Sequence, residues 1–384
     1  MRPTKPLACV MGDMDLLRPL GLAGIPCAVV AHPGAPPRFS RFSHAALDAI
    51  DRLEDAEELV ERLLRFARAQ AEPPVLFYEE DRDLLLVSRY REQLKQGFRF
   101  AIADASLVED LVDKARFRTL AERLQLPVPA TRRLHPVGSE PPADLNLRFP
   151  LIVKPLTRWV EDWGPLGGPA KALQVDTRAA LRDLWPRLVT QGVDVLAQEM
   201  IPGPESSIES YHVYVNEQGA IAGEFTGKKI RTYPLAYGHS TAVMITDTAD
   251  VLAIGRELAR RLKLRGVAKF DFKRAPDGTL YLLEVNPRFN LWHHPGALAG
   301  VNLPALVYYD VVGLPLPVVP RARPGVKWCQ TWSDAIAARE AGISLVKWLP
   351  WAFKCEAKSG IAWDDPMPIL RSKLWQRLSH LALP

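Results

Sequence analysis

The sequence lacks the features of several protein classes. No run approaches the roughly 20 apolar residues that a membrane-spanning helix needs, and the N-terminus has no apolar stretch typical of a signal peptide. The four cysteines lie far apart without a CxxC pair, which argues against a zinc knuckle or a disulfide framework and favours a reducing compartment. No arginine-rich arm or aromatic nucleic-acid motif is present. These absences predict a soluble cytoplasmic protein that binds no nucleic acid.

The composition is that of a folded protein with more than one domain. The chain has 384 residues, of which 48% are hydrophobic and 24% are charged. At roughly 100 to 200 residues per domain, this length predicts two or three packed units. The net charge of +5 comes from 49 basic and 44 acidic residues that are interspersed, so it does not indicate a basic groove.

The first hundred residues predict an open α/β sheet. Short apolar runs alternate with a segment of helical periodicity over 53–67, as in βαβ units. The absence of a GxGxxG motif argues against a dinucleotide site here. Residues 79–86 follow the carboxyl end of a predicted strand, where ligands of such sheets usually bind. Candidate substrate residues in this part of the chain are Arg38, Arg41, Glu79, Asp81 and Arg89.

The rest of the chain divides at proline-rich breaks. One helix is predicted from Ser106 to the Leu126-Pro127-Val128-Pro129 segment, and Pro141-Pro142 marks a linker before a series of short strands. We predict an N-terminal domain over 1–105, a second domain over 106–325 and a C-terminal extension over 326–384. Within the second domain, a lid is expected at about 130–200 and a metal-bearing subdomain at about 201–325.

The most informative segment is a predicted hairpin with an Asp277-Gly278 turn. Alternation along the second strand places Leu282, Glu284 and Asn286 on one face, and Asp271 in the first strand can supply another oxygen. Two carboxylates and an amide suit Mg²⁺, which keeps several waters and takes further ligands from phosphates. The alternative is a solvated rim beside a turn, which is the commoner role of such residues.

A cation follows this hairpin directly. Arg288 comes two residues after Asn286, and its planar guanidinium is suited to binding a phosphate or a carboxylate in two places at once. In the first strand, Lys269, Asp271 and Lys273 are expected on the same polar face. The polar face of the hairpin therefore predicts a site.

Five motifs in order resemble those of the ATP-grasp superfamily of carboxylate-amine ligases, which includes D-alanine:D-alanine ligase. The spacing from Asp271 to the Glu284-Val285-Asn286-Pro287-Arg288 run is similar to the magnesium signature of that superfamily. The resemblance covers about residues 1 to 315. It implies a mixed α/β and α+β architecture, the ATP-grasp fold preceded by an open α/β domain. The other matching segments are Asp113-Lys114, 151–155, the glycines at 164–168 followed by Lys171, and 198–205.

The resemblance also implies roles for single residues. Lys114 and Lys154 are expected at the nucleotide phosphates, and Lys171 in a mobile glycine-rich flap above them. Glu199 and the Ile201 backbone are expected at adenine. Glu205 is expected at the ribose hydroxyls. The implied cofactors are ATP and two Mg²⁺ ions, with Mn²⁺ able to substitute, held by Asp271, Glu284 and Asn286.

A second resemblance concerns the basic segment that contains Lys228, Lys229 and Arg231, which is similar to one in D-aspartate ligase. Strand alternation places Lys229 and Arg231 on one face, where they would meet the γ-phosphate and a substrate carboxylate. With Arg288, they are the predicted catalytic residues. The alternative is a basic strand edge without a catalytic role.

The resemblance implies an ATP-dependent ligase that joins small-molecule carboxylate and amine substrates through an acyl phosphate. The alternatives are an ATP-grasp carboxylase, a carboxylate kinase, or a regulatory protein that binds nucleotide without turnover. The presence of Asp271, Glu284 and Asn286 argues against the regulatory protein.

The C-terminal extension is rich in tryptophan. A helix of mixed apolar and basic character is predicted near its end. We expect the extension to fold against the body and form one wall of the acceptor-substrate pocket. Contact with a membrane or a protein partner is the alternative. The six tryptophans are Trp328, Trp332, Trp348, Trp351, Trp363 and Trp375.

Overall fold

The structure is a computed structural model. It describes residues 5–51, 54–156, 163, 166, 172–359 and 362–381, with side chains in the last helix described as far as residue 375.

The N-terminal part is built on a parallel sheet of four strands in the order β3-β2-β1-β4, which confirms the predicted open α/β sheet. Every residue of β1, β2 and β4 is buried, because helices and the rest of the chain cover both faces. The strands are β1 (Ala8–Met11), β2 (Cys27–Ala31), β3 (Ser43–Asp48) and β4 (Val75–Tyr78), and the helices are α1 (Met14–Leu22), α2 (Ala56–Arg68), α3 (Asp81–Arg89) and α4 (Arg91–Leu94).

The single helix predicted from Ser106 is wrong, because the structure has two, α5 (Ala105–Val112) and α6 (Lys114–Arg123). The break lies at Asp113, which is extended and whose carboxylate accepts hydrogen bonds from Ala115 N at 2.8 Å and Arg116 N at 2.9 Å. An aspartate that caps a helix in this way stabilises a helix start, so it divides an otherwise continuous apolar pattern.

A smaller antiparallel sheet follows, in the order β5-β8-β6-β7. It has its own apolar core, in which Trp185 and Leu188 pack on the strands. Its elements are β5 (Thr131–Leu134), β6 (Leu151–Pro155), β7 (Leu173–Val175), α7 (Arg178–Gln191) and β8 (Val195–Glu199).

The third part contains a sheet of seven strands in the order β13-β12-β9-β10-β11-β14-β15, antiparallel except for its last pair. Within the described ranges, no helix has both the length and the apolar character required to cross a membrane. The strands are β9 (Ile208–Val215), β10 (Ile221–Tyr233), β11 (His239–Thr246), β12 (Gly266–Arg274), β13 (Leu280–Asn286), β14 (Lys327–Cys329) and β15 (Ala357–Lys358). The helices are α8 (Ala249–Arg261), α9 (His293–Leu298), α10 (Leu303–Val312), α11 (Thr331–Glu340), α12 (Leu345–Phe353) and α13 (Met367–Leu381).

The parallel sheet and the large sheet share apolar cores. Leu63 of α2 and Leu84 of α3 belong to the same buried cluster as Tyr211 of β9 and Phe270 of β12. The small sheet, in contrast, has a cluster made of its own residues. The parallel sheet is therefore packed against the large sheet, while the small sheet has a separate core.

The C-terminal segment packs against the body, as expected. Its strand β14 pairs with β11, and the buried Trp328 donates from Nε1 to Asp15 of α1 at 2.9 Å. Farther along, Asp365 accepts from Ser40 Oγ at 2.6 Å. Because β14 and β15 extend the large sheet, no sheet boundary lies at the expected division between 325 and 326.

Candidate active site

The hairpin of β12 and β13 brings the three expected metal ligands together. Asp271 lies directly opposite Glu284, and Lys269 lies opposite Asn286. The register shifts after Asp271, so strict alternation fails in β13. Leu282 was expected beside Glu284 and Asn286 but is buried in the apolar core, because the irregularity at this point turns it to the other face.

Lys269 offsets part of the negative charge of these carboxylates. Its Nζ lies 2.5 Å from Asp271 Oδ2 and 4.0 Å from Glu284 Oε1. Ser210 of β9 donates from its hydroxyl to Asp271 Oδ1 at 2.5 Å, and Asn286 Nδ2 donates to Glu284 Oε1 at 3.0 Å. Sequence analysis placed Lys269 on the polar face but gave it no role, although alternation with Asp271 was the available signal.

The donor set fits a magnesium ion that shares its ligands with phosphate. The described residues contain no group of three His, Cys, Asp or Glu side chains able to form a complete protein cage. Asp271, Glu284 and Asn286 offer two carboxylates and one amide oxygen, all hard donors, and Mg²⁺ commonly binds one or two carboxylates together with water and phosphate oxygens. These three residues would hold it.

A first cavity of about 440 Å³ lies between the small sheet and the large sheet. It is lined by residues of both sheets and of the start of α6, as expected if the predicted nucleotide-binding residues lie close together. Lys171 and the glycines at 164–168 lie outside the described residues. The expected nucleotide-binding residues that line this cavity are Lys114, Lys154, Glu199, Ile201 and Glu205.

Backbone and amide groups hold the two lysines at the cavity wall. Lys114 donates from Nζ to the Pro155 carbonyl at 2.8 Å, and Lys154 donates to Gln198 Oε1 at 3.1 Å. Gln198 in turn donates to Thr131 Oγ1 at 2.8 Å. Lys114 is also the first residue of α6, so the helix break at Asp113 determines where this lysine enters the site.

Two cations to which sequence analysis gave no role bind the segment that carries the expected adenine and ribose contacts. Lys273 donates from Nζ to the carbonyls of Gly203 and Pro204 at 2.8 and 2.6 Å, and burial lowers its pKa. Arg148 binds the Glu199 carboxylate through Nε at 3.0 Å and Nη2 at 2.7 Å. The loop that carries the expected adenine and ribose contacts is thereby fixed from both sides.

A second cavity of about 950 Å³ lies between the parallel sheet and the large sheet. Arg288 lines it, pairs with Asp81 and donates from Nη1 to the Glu79 carbonyl at 2.8 Å. The two cavities share part of their walls, so they open onto each other at the hairpin. The shared residues are Lys229, His239, Asp271 and Glu284.

Arg231 does not lie on the same wall as Lys229. A register shift between the two residues in β10 breaks the alternation on which the prediction depended. The Arg231 guanidinium instead forms a buried pair with Asp334 of α11, through Nε at 2.9 Å and Nη2 at 2.7 Å. It also lies 4.1 Å from the ring centroid of Trp351.

The three candidate arginines in the N-terminal part do not line the second cavity. Arg38 pairs with Asp48 at 2.5 Å, Arg41 with Asp364 at 2.7 Å and Arg89 with Glu109 at 2.9 Å. Glu79 and Asp81 do line it. Of the five candidates, only the two that follow the carboxyl end of β4 therefore reach the cavity, where ligands of a parallel sheet usually bind.

Glu79 is a carboxyl group of this cavity with a raised pKa. It accepts from Asp13 N at 2.6 Å, and burial, reinforced by Asp13 and Asp15, raises its pKa to about 8. A carboxyl group that stays protonated at neutral pH avoids placing another negative charge beside these two aspartates.

We expect Glu79→Gln to change the pH dependence of stability. Between the ordinary pKa of 4.5 and the raised pKa of about 8, the folded protein binds more protons than the unfolded chain, so stability falls as pH rises through that window. The variant lacks this loss, and above pH 8 its free energy of unfolding should exceed that of the wild type by up to about 5 kcal/mol, since each unit between the two pKa values is worth about 1.4 kcal/mol. Urea unfolding at several pH values measures both slopes. Equal slopes for Glu79→Gln, the exposed control Glu54→Gln and the wild type would contradict the raised pKa.

Comparison with protein families gives a match in the region of the hairpin. Residues 191–331 match the family described as ATP-grasp in the biosynthetic pathway with Ter operon. The matched segment includes β9 to β13 and thus Lys229, Asp271, Glu284, Asn286 and Arg288.

Two curated relatives align with larger parts of the chain. The D-aspartate ligase of Enterococcus faecium is 25% identical over 290 residues, which cover 72% of this chain and 68% of the relative. The D-alanine–D-alanine ligase of Neisseria meningitidis serogroup C is 24% identical over 184 residues, which cover 46% of this chain and 57% of the relative.

Solved structures with the same fold align over most of the chain. The ADP complex of purK, an N5-carboxyaminoimidazole ribonucleotide synthetase, aligns with a TM-score of 0.65 at 16% identity and covers 100% of this chain and 99% of its own. The L-amino acid ligase from Bacillus licheniformis aligns with a TM-score of 0.60 at 14% identity, over 81% and 75% of the two chains.

Proposed function

Because this chain is an ATP-grasp enzyme of the carboxylate-amine ligase type, we propose that it joins a small-molecule carboxylate to an amine in a reaction that converts ATP to ADP and phosphate. The similarity to a D-aspartate ligase supports a small carboxylic acid as one of the two substrates.

The connection between the two cavities supports this proposal most directly. ATP bound in the first cavity, with its phosphates near Lys114 and Lys154, would extend toward Asp271 and Glu284, which belong to both cavities. A carboxylate in the second cavity would approach the same point between Lys229 and Arg288. Two reactants held on opposite sides of one junction react as an effectively unimolecular pair.

The reaction has two steps in this proposal. A carboxylate oxygen attacks the γ-phosphorus and the bond to the β-phosphate oxygen breaks, which gives an acyl phosphate and ADP. The amine nitrogen then attacks the acyl carbon, loses a proton, and displaces phosphate to form the amide. Mg²⁺, when bound, neutralises charge on the phosphates. Lys229 and Arg288 orient the carboxylate, and Lys114 and Lys154 stabilise the phosphate charge.

Trapping of the acyl phosphate tests the proposal. Hydroxylamine replaces the amine and converts an acyl phosphate to a hydroxamate, which mass spectrometry identifies in mixtures of candidate carboxylates with ATP. A hydroxamate formed together with one equivalent of ADP is expected. ADP release that depends on bicarbonate, without a hydroxamate from any organic acid, would instead favour a carboxylase.

We expect Lys114→Met and Lys154→Met each to weaken ATP binding. Each change removes a charge-assisted contact to phosphate, with an expected loss of about 1.5 to 3 kcal/mol in binding free energy. Isothermal titration calorimetry measures the effect, and Lys95→Met, which removes an exposed lysine paired with Glu92, is the matched control. Unchanged affinity in both cavity variants would remove these lysines from the nucleotide site.

A further inference from the structure

Exposed apolar side chains are concentrated in the C-terminal segment. More than half of the large hydrophobic residues that are exposed in the described part of the chain lie after β14. They are exposed although this segment also packs against the body. A folded surface of this character usually marks a binding site. These residues are Trp332, Ile336, Leu345, Val346, Leu349, Phe353, Trp363, Met367, Leu370, Leu374 and Trp375.

Helix α12 shows the arrangement most clearly. Its inner side buries Trp348 and Ala352 against α11. On its outer side four apolar residues fall within an arc of about 100°, at the helical spacing of 100° per residue. Val346 is 82% exposed, and the other three residues of this stripe, Leu345, Leu349 and Phe353, are exposed by 50% to 61%.

The charged residues of α12 and its C-terminal cap are both positive. Lys347 and Lys354 are exposed and share the side of α12 next to the stripe, and α12 contains no acidic residue. In α13, Lys373 lies 5.0 Å above the ring of Trp332 in α11, which places a cation beside an exposed indole.

Three acidic groups of the segment are already bound to residues outside it. Asp334 is completely buried and bound to Arg231. Asp365 is buried against Ser40, and Asp364 pairs with Arg41 at 2.7 Å. These carboxylates therefore do not offset the lysines of α12.

A second copy of the chain fits this surface poorly. In a two-fold symmetric dimer the same patch meets itself, so Lys347 and Lys354 would face their own equivalents without an acidic residue on α12 to receive them. An apolar stripe bordered by lysines, with exposed indoles nearby, matches instead the boundary between the head groups and the acyl chains of an anionic bilayer.

We propose that the outer surface of α12, together with Trp332 and Lys373, docks the enzyme peripherally on an anionic lipid membrane. Leu345, Val346, Leu349 and Phe353 enter the head-group boundary, while Lys347 and Lys354 contact anionic lipid. None of the residues of this surface lines either cavity, so docking places the enzyme near a membrane-bound or membrane-derived substrate without changing the reacting groups.

Flotation with lipid vesicles tests the proposal on the full-length enzyme. Wild-type protein should bind vesicles that contain about 30 mol% phosphatidylglycerol and lose most of that binding in pure phosphatidylcholine or at about 0.5 M salt. The apolar variant Val346→Glu/Leu349→Glu and the charge variant Lys347→Glu/Lys354→Glu should each reduce partitioning by about tenfold or more. The matched control is Val318→Glu, which changes a 96% exposed valine outside this surface and should bind like the wild type.

Three outcomes would overturn the proposal. If wild-type protein does not float with anionic vesicles, it does not bind the membrane as proposed. Binding that persists in both double variants comes from another surface. A concentration-dependent dimer without lipid, abolished by Val346→Glu/Leu349→Glu in sedimentation velocity, would show that the surface binds a second copy instead. Equal melting temperatures and ATP hydrolysis in wild type and variants establish that the variants are folded.

Discussion

Glu284→Gln is expected to abolish ATP-dependent product formation, with a fall in kcat of about 10²-fold or more. The change keeps the size of the side chain and removes one of the two carboxylates that face each other across β12 and β13. A neutral amide binds Mg²⁺ more weakly than a carboxylate and does not offset the charge of a phosphate-bound cation. Coupled measurement of ADP release, with the candidate carboxylate and amine present, gives kcat.

The same variant should fold normally. The Glu284 side chain is 41% exposed and its ion pair with Lys269 is 4.0 Å long, so its loss should cost less than about 1 kcal/mol. Glu217→Gln, an exposed change of the same kind in the turn after β9, is the matched control. Full activity in Glu284→Gln would exclude this carboxylate from the reaction, while a large fall in melting temperature would show a structural role.

The hairpin site could be predicted because its signals are local. A turn at Asp277-Gly278 sets the pairing of the two strands to within one residue, and Gly278 adopts φ +87°, which favours glycine. With the turn placed, Asp271 must lie near Glu284. Residue type and spacing were therefore enough to bring the carboxylates together.

The predictions that failed depended on strict periodicity. Lys229 and Arg231 were expected on one face, but a register shift in β10 separates them, and a similar shift moves Leu282 away from Glu284. A bulge with one extra residue is a property of the pairing between two strands. The alternation of residues along a single strand therefore cannot predict it. The helix break at Asp113 had a local signal, since aspartate favours the N-terminal cap, but the continuous apolar pattern concealed it.

Other features depend on partners far away in the chain. The residue that binds Arg231 is Asp334, 103 positions later. Glu79 and Arg288 meet across 209 positions. No periodicity or motif links residues at such separations, so these two contacts became visible only in the fold.

Asp334→Ala is expected to produce the largest loss of stability, about 3 to 5 kcal/mol. The Asp334 side chain is fully buried and accepts from Arg231 Nε and Nη2, from Thr241 Oγ1 at 2.9 Å and from Trp348 Nε1 at 2.8 Å. Removal of the carboxylate leaves a guanidinium that is only 12% exposed without its counter-charge, together with two donors that lose their acceptor.

Urea unfolding followed by tryptophan fluorescence measures this loss, since Trp348 reports on the segment concerned. The matched control is Asp364→Ala, which breaks an exposed aspartate-arginine pair and should cost less than about 1 kcal/mol. The double variant Arg231→Met/Asp334→Leu tests the cause. If the unpaired buried cation is responsible, removal of both charges should restore part of the stability lost in Asp334→Ala. A double variant as unstable as the sum of its single changes would assign the loss to Thr241 and Trp348 instead.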